Sequence, residues 1–143
     1  MNNRLSKTSD STASYRNTEG QDIPSVLLMV YDPLKLKKIS VLAKIDTSFT
    51  GGLIIPSDVY IRLGLQMFEE PKNEVMGQIV TGDMMGLRCS KGIVETENTS
   101  ISCEIYTTFL PIQPAVGLEI LNSWKVTLDG VKRRVKITVE KET

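Results

Sequence analysis

The chain has 143 residues, enough for one compact domain and short for two. Hydrophobic residues make up 41% and charged residues 24%, the balance of a globular protein with a buried core. Basic and acidic side chains number 17 each, so the formal charge is zero and the broad positive field of a nucleic-acid binder is missing.

Histidine is absent altogether. Ser-His and Cys-His nucleophilic catalysis are therefore excluded, as is any imidazole-ligated metal. Carboxylate chemistry, a lysine base or a carboxylate-bound metal remain as routes to hydrolysis. The longest apolar runs fall far short of the roughly 20 residues that span a bilayer. No basic-then-apolar leader opens the chain, so no membrane partner and a cytoplasmic location are expected. Two cysteines, Cys89 and Cys103, do not make a disulfide framework. Pairing across neighbouring strands is open to them, but free buried thiols are the expectation.

Residues 1–21 hold ten Ser, Thr or Asn and little that is apolar beyond Leu5 and Tyr15. Such a stretch offers little burial to offset its ordering entropy, so 1–22 reads as a flexible tail and 23–143 as the domain. Ser25 to Tyr31 is an apolar strand broken by Asp32-Pro33, and a return strand runs from about Lys37 to Ile45. Ile39, Val41, Ala43 and Ile45 share one face of that return strand. Leu53-Ile54-Ile55 is a short buried strand closed by Pro56. Ser57 then reads as a helix N-cap, with Gly64 near the C-terminus and Val59 and Leu63 on the buried face. Glu69-Glu70 reads as a pair of solvated loop acids.

From Glu74 the pattern returns to strands. Val75 to Val80 and Met84 to Cys89 flank Thr81-Gly82-Asp83, a hairpin tip. Ile93 to Thr96 and Ile101 to Tyr106 form a second pair around Glu97-Asn98-Thr99. An apolar strand or loop from Phe109 to Pro114 precedes Ala115-Val116-Gly117, and a short helix over Leu118 to Trp124 follows. A terminal hairpin turns at Asp129-Gly130, with Lys132-Arg133-Arg134 as its solvated edge. Many short strands and two brief helices predict an all-β fold, a small closed barrel or a sandwich.

The most informative segment is Ala43-Lys44-Ile45-Asp46-Thr47-Ser48-Phe49, continued by Gly51-Gly52-Leu53-Ile54-Ile55-Pro56. A carboxylate at the end of a buried strand is costly unless it is hydrogen-bonded or paired. One reading is an Asx turn that satisfies its own loop; the other is a reactive acid. The segment resembles the active-site loop of retroviral-type (retropepsin-like) aspartic proteases, in particular the prokaryotic branch. Ala115-Val116-Gly117, followed by Leu118 to Leu121, is similar to the second family hallmark, and Val75 to Cys89 stands where the family's flap stands. The resemblance spans roughly residues 23–140. It implies a small closed acid-protease barrel, no cofactor or metal, and a C2 homodimer as partner, because the chain supplies only one such Asp.

By that resemblance Asp46, Thr47 and Ser48 form the catalytic turn, and Gly51, Ile79, Val80, Thr81, Gly82 and Val116 contact an extended peptide or protein substrate. One position departs from the pattern: Ser48 stands where the family usually has Gly. A Cβ and hydroxyl there would crowd the dyad or hydrogen-bond to it. Two further readings stand beside the protease: a catalytically weak or inactive module that binds peptide or assembles dimers, and an unrelated small barrel.

Overall fold

A continuous apolar run over 26–30 and an alternating one over 39–45 write the first two core strands into the chain. The computed structural model of the protein describes residues 4–9, 13–18, 20–70, 75–78, 84–97 and 99–142. Strands β1 (Arg4–Ser9) and β2 (Ala13–Thr18) precede β3 (Gln21–Tyr31) and β4 (Lys38–Ile45). On β3, Val26, Leu28 and Val30 are wholly buried, and on β4 Val41 and Ala43 face the same core. Asp32 is buried in the connection, where its carboxylate accepts the Leu34 and Lys37 amides at 3.1 and 2.6 Å. That pair of bonds closes the turn which Asp32-Pro33 announces in the sequence.

Strand β5 (Leu53–Pro56) buries Leu53 and Ile55 and runs into helix α1 (Ser57–Arg62). Burying two such side chains is worth about 1.5–3 kcal/mol each. The helix begins one residue earlier than Ser57 as N-cap implies. Pro56 takes that place with φ −59° and ψ 151°, and no side chain caps the helix. Gly64 follows the helix at φ +72°, and a 3-10 turn spans Leu65–Phe68. Leu63 is buried as expected, with Tyr60 beside it. Glu69 is not a free loop acid: it accepts the Tyr60 hydroxyl at 2.9 Å and pairs with Arg88 at 2.8 Å.

Strand β6 (Val75–Gln78) pairs antiparallel with the first part of β7 (Met84–Thr96). The two strands expected over Met84 to Cys89 and Ile93 to Thr96 are one continuous strand. A tight connection leads to β8 (Thr99–Thr108), with Thr96 opposite Thr99. Phe109 to Pro114 is loop, leading to β9 (Ala115–Val116) and helix α2 (Leu118–Leu121). Hairpin β10 (Lys125–Asp129) and β11 (Arg134–Glu142) ends the chain. Its turn holds four residues, wider than an Asp-Gly turn, and Arg133 closes it at φ +54°.

The main sheet runs β2-β3-β4-β9-β5-β8-β7-β6, and an added β3–β7 pairing joins it back on itself. Six strands thereby make a closed ring around the core. A second sheet, β1-β11-β10, contributes Val135, Ile137 and Val139 to the same core. Residues 4–9 and 13–18, which their composition assigns to a flexible tail, lie in β1 and β2. β2 continues the β3 ladder, placing Ala13 at 3% exposure and Tyr15 against the core while its polar residues stay outside. Backbone pairing to an existing edge supplies what the composition lacks.

Candidate active site

Asp46 is the first residue beyond β4, and its backbone is fixed from both directions. Its amide donates to the Val116 carbonyl at 3.0 Å, just as Lys44 donates to Pro114 at 2.9 Å. Its own carbonyl accepts the Phe49 amide at 3.3 Å, closing the turn. β9 lies parallel to β4 and antiparallel to β5, so it is wedged between the two strands that the Asp loop connects. The loop is then stitched to the segment after β9. Gly117 N donates to Gly52 O at 2.8 Å, Leu118 N to Phe49 O at 2.8 Å and Glu119 N to Gly51 O at 3.2 Å. Two motifs 70 residues apart (116 − 46) thus form one unit.

Close packing explains the glycines of this unit. A Cβ on Gly117 would fall on the Gly51 carbonyl oxygen and lie 2.5 Å from that of Phe49. A Cβ on Gly52 would lie 2.6 Å from the Glu104 carbonyl oxygen. Both obstacles are backbone, which cannot rotate aside. Gly51 sits beneath the Phe49 and Tyr106 rings, an edge-to-face pair with centroids 5.7 Å apart.

The Asp46 carboxylate is partly buried, and one of its oxygens carries two donors from the same residue. Oδ1 accepts the Ser48 amide at 3.0 Å and the Ser48 hydroxyl at 2.5 Å. The local Asx turn, one of the two readings of this loop, is therefore present. Ser48 needs no glycine-like backbone, since the described positive-φ residues other than glycine are Lys35 and Arg133. Thr47 is exposed, and among the described residues its hydroxyl has no partner.

Of the residues expected at the substrate, Gly51 is in the unit just described. Val116 is wholly buried in the core, and its part in the site is the carbonyl that holds Asp46. Ile79, Val80, Thr81 and Gly82 lie outside the described residues, although the arms that lead to them pair from Val75 with Leu87 to Gln78 with Met84. The arm on β7 is rooted by Arg88, whose guanidinium pairs with Glu69 and lies 5.7 Å from the centre of the Tyr60 ring. A cavity of about 110 Å³ beside this root is lined by Ser57, Tyr60, Ile61, Arg88, Thr107 and Phe109, and Asp46 does not reach it.

Three partners of the loop were not signalled by any sequence motif. Tyr106 packs on Phe49, Glu104 backs Gly52, and the Glu119 carboxylate accepts the Glu104 amide at 2.8 Å. They come from alternating positions on β8 and the first turn of α2, and only the assembled sheet brings them together. Cys89 and Cys103 are free and buried. Burial, with the Glu104 carboxylate 2.8 Å from its sulfur, pushes the Cys89 thiol up to about 12. Burial alone is the main cause for Cys103, also at about 12. Among the described residues no three His, Cys, Asp or Glu side chains converge as metal ligands, and no helix is long and apolar enough to cross a membrane.

Neither a protein-family model nor a characterised sequence matches the chain. In three dimensions it is similar to the crystal structure of a retropepsin-like aspartic protease from Rickettsia conorii, at TM-score 0.60 and 11% identity over all of both chains. It is also similar to the EIAV protease complexed with the inhibitor HBY-793. That match has TM-score 0.50 and 14% identity over 75% of this chain and 92% of the other. The protein has the retropepsin-like aspartic protease fold, all-β with two short helices, as its motifs imply.

Proposed function

We propose that the protein is a cytoplasmic aspartic endopeptidase acting as a twofold homodimer. The observation that carries this reading is the position of Asp46: at a strand end, on a loop hydrogen-bonded to 117–119, within a retropepsin-like fold. One chain offers one such acid, so two copies supply the pair. Carboxylates ~3 Å apart cannot both ionise, so they share a proton and titrate together. The charged member takes a proton from a trapped water, which attacks the scissile carbonyl. The protonated member donates to the carbonyl oxygen, and the two exchange roles as the amine leaves. Thr47, exposed and with no hydroxyl partner among the described residues, bonds the loop of the second copy. The hairpin carrying Ile79 to Gly82 closes over the peptide, and an extended substrate adds as a strand beside it and Gly51.

The test is turnover of an unfolded protein substrate by wild type and Asp46→Asn, with sedimentation to measure the dimer. Loss of cleavage in a variant that still dimerises supports the reading; persistent cleavage ends it. One observation favours a second reading, a peptide-binding or assembly module without activity: the Ser48 hydroxyl already occupies an Asp46 oxygen. Specific cut products that appear with wild type and vanish with Asp46→Asn would rule that out.

A further inference from the structure

The Ser48 hydroxyl lies 2.5 Å from Asp46 Oδ1, the distance of a short hydrogen bond to a charged oxygen. The Ser48 amide lies 3.0 Å from the same atom. A carboxylate oxygen has about two lone-pair sites in its plane. Both on Oδ1 are therefore taken by residue 48, whereas Oδ2 has no donor among the described residues.

The amide alone is sufficient to orient the carboxylate, because the Asp46 backbone is already anchored to Val116 and Phe49. The hydroxyl adds no further orientation. What it does is fill the place where a water bonded to Oδ1 would sit. A general base acts only on a proton within about 2.6–3.2 Å of its oxygen. A hydroxyl resident at that distance competes with the water that is to be activated and with any hydroxyl of a transition-state mimic.

We propose that Ser48 is a positioning residue that restrains catalysis: its side chain substitutes for water on Asp46 Oδ1, an oxygen that a water reaches only when the hydroxyl swings away. This rests on the aspartic-protease reading above. Ser48 is exposed, so the swing costs no core contact.

The experiment compares wild type, Ser48→Ala, Ser48→Thr, Asp46→Asn and the Asp46→Asn/Ser48→Ala double variant. Each is assayed for hydrolysis of reduced, unfolded casein and, by calorimetry, for binding of a statine-containing peptide. Ser48→Ala is expected to raise kcat about tenfold, equivalent to ~1.4 kcal/mol, with KM within twofold. It should tighten statine-peptide binding by a similar factor. Ser48→Thr keeps the hydroxyl and gives no gain, and both Asp46→Asn proteins are inert. If Ser48→Ala equals or falls below wild type in rate and in mimic affinity while Asp46→Asn is dead, the restraint is wrong and the protease reading survives. Cleavage that persists in Asp46→Asn, or an absence of cleavage and mimic binding in every protein, overturns the protease reading and the restraint with it.

Discussion

Asp46 is held by its main chain first and its side chain second, and this order decides which neighbours tolerate change. Gly117 faces the carbonyl oxygens of Gly51 and Phe49 across a gap too small for a methyl group. Gly117→Ala is expected to cost about 1–3 kcal/mol as overpacking against backbone. It should also displace the Asp loop, so cleavage falls further than stability. A urea midpoint unchanged from wild type would contradict this. Gly64 makes a different case, because a Cβ there would meet the flexible Lys37 ammonium at 3.9 Å and the φ is +72°. There Gly64→Ala should cost about 1–2 kcal/mol from backbone strain alone, leaving activity in place. The Asp46 turn itself was legible in the residues: a carboxylate after an apolar strand needs donors, and Ser48 provides them. That both donors fall on one oxygen was not legible, since it depends on a rotamer.

At the scale of elements, strands with local partners were readable and strands with distant ones were not. The β7–β8 hairpin pairs Thr96 with Thr99, where polar residues interrupt two apolar runs, and alternation along β4 assigns its inner face. The Asp loop, the 115–117 motif and the brief second helix likewise stand where the residue pattern puts them. β2 escaped because its composition is polar. Its order comes from the exposed edge of β3 and from Tyr15, which packs on the core and lies 5.7 Å from the Arg133 guanidinium. Tyr15→Ala should therefore lower stability by about 1–3 kcal/mol in urea unfolding, the range for a lost packing contact. A silent substitution would return the segment to the status of a tail. Pro56 rather than Ser57 caps α1 because its fixed φ suits the strand-to-helix corner without a side-chain bond.

For the whole molecule, β7 and β8 place two buried thiols and a half-buried phenol on the wall behind the Asp loop. Cys89, Cys103 and Tyr106 are each pushed up to about 12 by burial, from ordinary values of 9.0, 9.0 and 10.0. Their folded forms hold protons that the unfolded chain releases, so stability falls as pH rises from about 9 towards 12. A urea midpoint lower at pH 10.5 than at pH 8 is the expected outcome, together with thiols that resist alkylation until the chain is unfolded. A flat profile would mean that the wall is wetter than its packing indicates. Neither the closure nor the Tyr106–Glu104–Glu119 backing of the loop follows from local pattern, because each joins strands far apart in the chain. The proposed twofold assembly belongs to this scale too.

The most direct measurement is peptide-bond cleavage by wild type and Asp46→Asn at matched dimer content. Defined fragments are expected from wild type and none from the variant. Equal cleavage by the two, or a wild-type chain that stays monomeric while cutting, would contradict the proposed function.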